Sequence, residues 1–341
     1  MASVKGKLFE FFVYKLLMFS GFKSVVPDKL LVFEGPAGTM LQGMGQAHNA
    51  DVLLEPPFQT PFYFPTRLLV ECKCYNDTIG LPVVRNAFGL REDVNNFDIV
   101  TEDILKNRRS SYTTKTTCYP MKRYTYQVAV ASLNGFKSTA IPFAQAHRIP
   151  LISFGESMIF DEIRNLIEQV EREAIEDEKI SDKILEYLKE EQSKPYINCD
   201  CYYISERFYD FLQEVTYFRD KMVIGLLENG TILFMVKEKD NCSVWITEKQ
   251  RRYDDGYAIY WSRESKAWRL YDREQCYSFE LPKDIYQEWI ESANEQRKAA
   301  LDIKQEYFSK IVLFESNTER GENVRTILLS QRFIENANRL V

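Results

Sequence analysis

Histidine is scarce in this chain: His48 and His147 are the only two in 341 residues. The cysteines do not make up for it. Their two close pairs, Cys72/Cys74 and Cys199/Cys201, are spaced C-x-C, where a zinc knuckle uses C-x₂-C, so a structural zinc site is not expected. Seven is an odd number, and with no export signal the expectation is reduced thiols in a cytoplasmic protein. Also missing is any apolar run approaching the roughly 20 residues that span a bilayer. The basic and apolar opening "KGKLFEFFVYKLLMFSGF" is interrupted by Glu10 and Lys15, and no small-residue cleavage site follows. It therefore reads as a helix of the folded protein and not as a signal peptide. No repeat or low-complexity tract occurs.

What remains is the balance of a globular protein, 45% hydrophobic and 28% charged, long enough for two domains with buried cores. The net charge of −6 conceals an asymmetry. Residues 1–155 carry 17 Lys/Arg against 12 Asp/Glu, a balance of +5, and the remainder carries 27 against 38, a balance of −11. The basic half is the candidate for meeting a polyanion. The acidic half favours protein contact or oligomerisation, so a homo-oligomer or protein partner is expected through residues 157–341.

The pattern along the chain divides it into residues 1–156, 157–195 and 196–341. In the first part, apolar residues at helical spacing (Phe9, Phe12, Val13, Leu16, Leu17) predict a helix over 3–19, closed by Gly21. A strand is expected over 24–34, then a glycine-rich turn, "GPAGTMLQGMGQ", then strands at "ADVLLE" and "RLLVECK". A helix follows from Leu81, with Pro82 in its first turn. "YTYQVAVASL", "STAIPFAQAHR" and "IPLISF" read as strand, short helix and strand, a parallel crossover. The fold class is thus α/β, a mixed central sheet flanked by helices. Residues 157–195 repeat Ile159, Ile163, Leu166, Ile167 and Val170, an amphipathic helical connector or a dimerisation surface. The last part reads as an α+β domain. Its "KMVIGLLENGTILFMVKE" predicts a hairpin around Asn229-Gly230, "YAIYWSRESKAWRLYD" a second hairpin, and "KDIYQEWIESANEQRKAALDIKQEYF" a long helix.

The chemistry concentrates in "LLVECKC", residues 68–74. Side chains alternate along a strand, so Leu69, Glu71 and Lys73 share one face while Val70 and Cys72 take the other. A buried strand has no use for two opposite charges at its end unless they are paired or working. A hairpin of "DVLLE" with "LLVECK" would bring Asp51 beside them. Asp51 and Glu71 are hard oxygen ligands suited to Mg²⁺, which keeps several waters and bridges to phosphate. Lys73 beside them would orient or help deprotonate a water, or stabilise developing charge. The competing reading is a plain ion pair.

An acid opening one strand and E-x-K closing the next resembles the PD-(D/E)xK nuclease superfamily, and within it the Mrr-like restriction endonucleases. The resemblance covers most of residues 1–155, whose order α-β-β-β-α-β matches the restriction-endonuclease-like core. It implies a catalytic set of Glu10 on the first helix, Asp51, Glu71 and Lys73. It also implies a metal held by Asp51, Glu71 and the backbone carbonyl of Cys72. The residue before the acid is Ala50, where the family's motif has proline. The activity implied is endonuclease hydrolysis of DNA phosphodiester bonds with Mg²⁺, for which Mn²⁺ would substitute, in a prokaryotic restriction or anti-phage defence system. RNA cleavage on the same scaffold and a non-catalytic nucleic-acid-binding or assembly subunit are the alternatives.

Cations for a nucleic acid are at hand. Lys106, Arg108, Arg109, Lys115, Lys122 and Arg123 fall in one polar stretch with Tyr112, Tyr119 and Tyr124 interleaved, and Lys137 follows Gly135. Phosphate contact and base stacking are the functional reading, a solvated loop the plain one. His48, in "QAHNAD", and Gln145 are further candidates near the site.

Overall fold

A computed structural model describes residues 3–28, 31–35, 38–59, 64–96, 106, 124–155, 157–198, 201–228, 230–238, 258–262, 267–271, 275–281, 307–315 and 324–328. Over these residues the protein is mixed α/β, with three sheets.

The first helix, α1 (Val4–Phe19), begins at Ser3, whose side chain accepts from the Gly6 N–H. It ends where Gly21 adopts φ 91°, with Gly21 donating to Met18 O and Phe22 to Leu17 O. Glycine tolerates that left-handed turn, as its position in the sequence predicts. The helix is buried on every side, including Phe11 and Lys15. One face lies on the main sheet, and the other is covered by later helices.

The main sheet has the order β1-β5-β6-β7-β8, built from β1 (Lys23–Ser24), β5 (Val52–Glu55), β6 (Thr66–Lys73), β7 (Thr125–Ser132) and β8 (Leu151–Ser153). β1, β5 and β6 are antiparallel neighbours, while β6, β7 and β8 run parallel. The helices α2 (Leu81–Asn95) and α3 (Ile141–Ala146) cover the face opposite α1, burying Val84, Ala87 and Ala144 with Leu69, Val128 and Val130. Pro82 lies in the first turn of α2, where its missing N–H costs nothing.

Residues 24–49 differ from expectation. A single strand and a glycine-rich turn are replaced by a small antiparallel sheet of β2 (Val32–Gly35), β3 (Gly38–Gln42) and β4 (Ala47–Asn49). The glycines mark strand ends within it: Gly38 takes φ 118°, and Gly43 closes the β3–β4 turn by donating to Gln46 O. A Cβ at Gly43 would collide with the Asp93 carboxylate of α2, so glycine here serves close packing.

Residues 157–195 form two helices, α4 (Asp161–Glu176) and α5 (Glu178–Glu191). Asp177 ends the first and caps the second, its side chain accepting from the N–H groups of Lys179 and Ile180. Ile163, Leu166, Ile167 and Val170 share one buried cluster with α1 and with α6 (Glu206–Tyr217). The apolar face expected of a connector or dimer surface is therefore covered by the chain itself. Lys15 passes to the end of α5, where its Nζ donates to Glu191 O and Lys194 O, both at 2.7 Å.

A second sheet of seven antiparallel strands follows: β9 (Met222–Leu227), β10 (Ile232–Lys237), β11 (Ala258–Ser262), β12 (Ala267–Tyr271), β13 (Cys276–Phe279), β14 (Lys310–Phe314) and β15 (Val324–Leu328), in the order β11-β12-β13-β10-β9-β14-β15. β9–β10 and β11–β12 are the two expected hairpins. The long helix expected over 283–308 lies outside the described residues except at 307–308. Cys276 is disulfide-bonded, which corrects the expectation of reduced thiols throughout. Cysteine spacing along a chain does not report which sulfurs meet in space. The rings of Phe12, Phe154, Phe218 and Phe234 surround Phe160, at centroid distances of 4.9–5.8 Å, joining the second sheet to α1 and the first. Among the described residues no helix is long and apolar enough to cross a membrane.

Candidate active site

The site lies at the carboxyl end of β6. Pairing between β5 and β6 extends to Val52 opposite Val70 and then gives way to a side chain. Asp51 Oδ2 accepts the backbone N–H of Cys72 at 2.9 Å. On its other edge β6 stays paired with β7 as far as Lys73 opposite Ser132, and Leu133 donates to Lys73 O. The strand end is thus held on one edge and open toward Asp51 on the other. Successive carbonyls of a strand leave opposite edges. Since that of Lys73 faces β7, that of Cys72 faces Asp51.

Glu71 and Lys73 project together, as alternation predicts. Lys73 Nζ lies 2.8 Å from Glu71 Oε2 and 3.6 Å from Asp51 Oδ2, so one ammonium serves both carboxylates. Burial works against that charge, but Glu71 and Asp51 outweigh it and hold Lys73 above the ordinary lysine range. Cys72 turns its thiol into the α1 side of the core, where burial and the nearby Asp51 charge push its pKa well up. It is a packing residue with a useful backbone.

Glu10 approaches from α1. Burial, followed by the negative charge of Asp51, raises its carboxyl, and Lys7 opposes this with a hydrogen bond of 2.6 Å. Three acids and two lysines therefore share one electrostatic neighbourhood. Among the described residues no three His, Cys, Asp or Glu side chains converge on a metal-ligating point. The donor set that remains is Asp51, Glu71 and the Cys72 carbonyl, all hard oxygens and few in number. That suits Mg²⁺, which completes its shell with water, and does not suit zinc in a closed site.

The other expected residues are scattered. His48 turns to α2, its Nε2 lying 2.7 Å from Asp93 Oδ2. Gln145 is exposed on α3, and His147 packs its ring against Phe88 and Phe143. Lys137 is exposed, with its backbone tied to Ile79 in the loop after β6. Lys106 is exposed, while Arg108, Arg109, Lys115, Lys122 and Arg123 lie outside the described residues.

Sequence reasoning missed the supports. Asn49 Nδ2 donates to Asp51 Oδ1 at 3.3 Å. Asn134 Nδ2 donates to Tyr75 O and Asn76 O, and the buried Lys5 donates to Asn76 Oδ1 at 3.0 Å, so the loop after Lys73 is pinned from two directions. Lys5 also pairs with Glu168 of α4 at 2.5 Å. None of these carried a readable signal; the Lys7 contact to Glu10 did, through its i, i+3 spacing.

Comparison of the chain with protein-family models, curated proteins and solved structures finds no match in any of the three.

Proposed function

We propose that the chain is a Mg²⁺-dependent endonuclease that hydrolyses DNA phosphodiester bonds. The observation that supports this best is the contact of Lys73 with both Asp51 and Glu71 at an open strand end. A structural ion pair would need only one acid. Asp51 and Glu71 would hold the metal with the Cys72 carbonyl. A bound Mg²⁺ supplies a water of lowered pKa and charge neutralisation at the phosphate. Lys73, cationic in this setting, would orient the attacking water or stabilise charge on the phosphate oxygens. Glu10, held by Lys7, would accept a hydrogen bond from a water in the same neighbourhood.

Residues 157–341 would sense a signal, recognise sequence or hold a protein partner, and their acidic balance favours protein contact or oligomerisation over a broad DNA-binding face. A place in a prokaryotic restriction or anti-phage system rests on the resemblance of Glu10, Asp51, Glu71 and Lys73 to the Mrr-like pattern.

The test is incubation of the full chain with plasmid, linear duplex, single-stranded DNA and RNA, in Mg²⁺ or EDTA. Metal-dependent cleavage of DNA, lost in Asp51→Ala and Lys73→Ala, is the expected result. Cleavage of RNA alone would transfer the site to a ribonuclease. No cleavage of any substrate, or cleavage undiminished in both variants, would leave Lys73 as a structural ion pair. Charge reversal at Arg108 and Arg109 is expected to weaken DNA binding and flatten its salt dependence.

A further inference from the structure

Asp51 has two carboxylate oxygens, and each is held by a neutral donor from a different sheet. Oδ2 takes the Cys72 N–H of the main sheet at 2.9 Å, and Oδ1 takes the Asn49 amide of β4 at 3.3 Å. A third group competes for the same carboxylate, since Lys73 Nζ lies only 3.6 Å from Oδ2. A charged pair gains more from closing that gap than a neutral hydrogen bond of this length returns. Asp51 already pairs with the lysine at this distance, and something has to keep it from closing further.

We infer that Asn49 is a positioning residue that fixes the rotation of the Asp51 carboxylate, keeping it turned toward a divalent cation instead of closing fully onto Lys73. The inference rests on the nuclease reading of this site. Three further observations support it. Asn49 is itself fixed: β4 pairs with β3 through Met40 and Asn49, and the neighbouring His48 is tied to Asp93 of α2 at 2.7 Å. The same Asp93 accepts from the Gly45 N–H, so the β3–β4 turn is anchored at its far end as well. Asn49 Oδ1 is buried and has no hydrogen-bond partner among the described residues. A buried polar atom left unpaired is costly and calls for a reason. Turning the amide over would not remove that cost cleanly, because it would face the oxygen onto the Asp51 carboxylate. The donor is therefore aimed at the Asp51 carboxylate. Aspartate at 49 would repel Asp51, and an apolar residue would release it.

Groups that hold a ligating carboxylate in place typically change metal affinity about 10–100-fold when removed. The test is calorimetric titration of the full chain with Mn²⁺ alone, comparing wild type, Asp51→Ala, Asn49→Ala and the volume-conserving Asn49→Leu. Mn²⁺ affinity is expected to fall about 10-fold or more in both Asn49 variants. Excess Mn²⁺ should restore most of their DNA cleavage, and should restore none in Asp51→Ala. A purely structural role would shift the thermal midpoint without moving the Mn²⁺ midpoint. Wild-type Mn²⁺ binding that Asp51→Ala weakens, together with unchanged affinity in both Asn49 variants, would overturn this inference and leave the nuclease reading standing. A wild type that binds no Mn²⁺, or binds it equally after Asp51→Ala, would overturn both.

Discussion

Cys72 gives its backbone N–H to the side chain of Asp51, so a carboxylate completes the ladder of β6 where β5 has run out. Asp51 is then both a ladder partner and a site residue, and the two duties separate by substitution. Asp51→Asn keeps a carbonyl oxygen for Cys72 and should unfold near the wild-type urea midpoint, while cleavage falls at least about 100-fold. Asp51→Ala orphans the buried N–H and should cost about 1–3 kcal/mol in addition. Cleavage by Asp51→Asn within tenfold of wild type would remove Asp51 from the chemistry.

Lys73→Met leaves Glu71 and Asp51 without the cation that lies 2.8 and 3.6 Å from them. Cleavage is expected to drop about 100–1,000-fold. The folded state holds the Lys73 pKa above its unfolded value, so its stabilisation is complete below the ordinary lysine range and is lost only as pH rises through the raised value. The stability difference between wild type and variant should therefore be flat from about pH 6 to pH 9. A difference that vanishes at neutral pH in urea titrations would show that the ion pair contributes nothing.

Lys15 has the opposite sign. Burial lowers its pKa to about 8, with Glu191 only partly compensating. Between about pH 8 and the unfolded value near 10.5 the unfolded chain binds the extra proton, so this residue adds stability as pH rises. The gain should reach about 2 kcal/mol by roughly pH 9.5 relative to Lys15→Met, measured by urea unfolding at each pH. Parallel pH profiles for the two proteins would show that the ammonium is not buried with its charge.

Phe160 sits among rings from α1, β10 and the ends of β8 and α6. Phe160→Ala should cost about 3–5 kcal/mol, the usual range for a fully buried phenylalanine. Because that ring belongs to both parts of the molecule, probes in the first and second sheets should lose structure at the same denaturant concentration. Tryptophan fluorescence reports the second part through Trp268, and a label at an exposed site on α2 reports the first. Widely separated midpoints would show that the two sheets unfold independently.

Much of the site was legible because strand alternation is a rigid rule. Glu71 and Lys73 share a face in any strand, and a hairpin must bring Asp51 beside them. The close of α1 at Gly21 was equally plain. Asn49 was not, because a hydrogen bond to a residue two positions on depends on how β4 meets β5, which no local pattern encodes. The glycines at 35, 38 and 43 misled because strand ends and close packing use the same residue as turns. α6 had its periodicity in view, with Phe208, Phe211, Leu212 and Val215 behind the cap Ser205, but the tyrosine-rich stretch before it obscured the start. Lys15 reads as an interruption in an apolar helix, and only the carbonyls at the end of α5 explain how a charge survives there.

Those carbonyls lie 176 and 179 positions further along the chain. On the ribosome, α1 is made before the groups that satisfy its lysine and the rings that cover its outer face. Until they arrive a largely apolar helix waits uncovered, a natural client for a chaperone. Birth order and burial order run opposite to one another in this molecule.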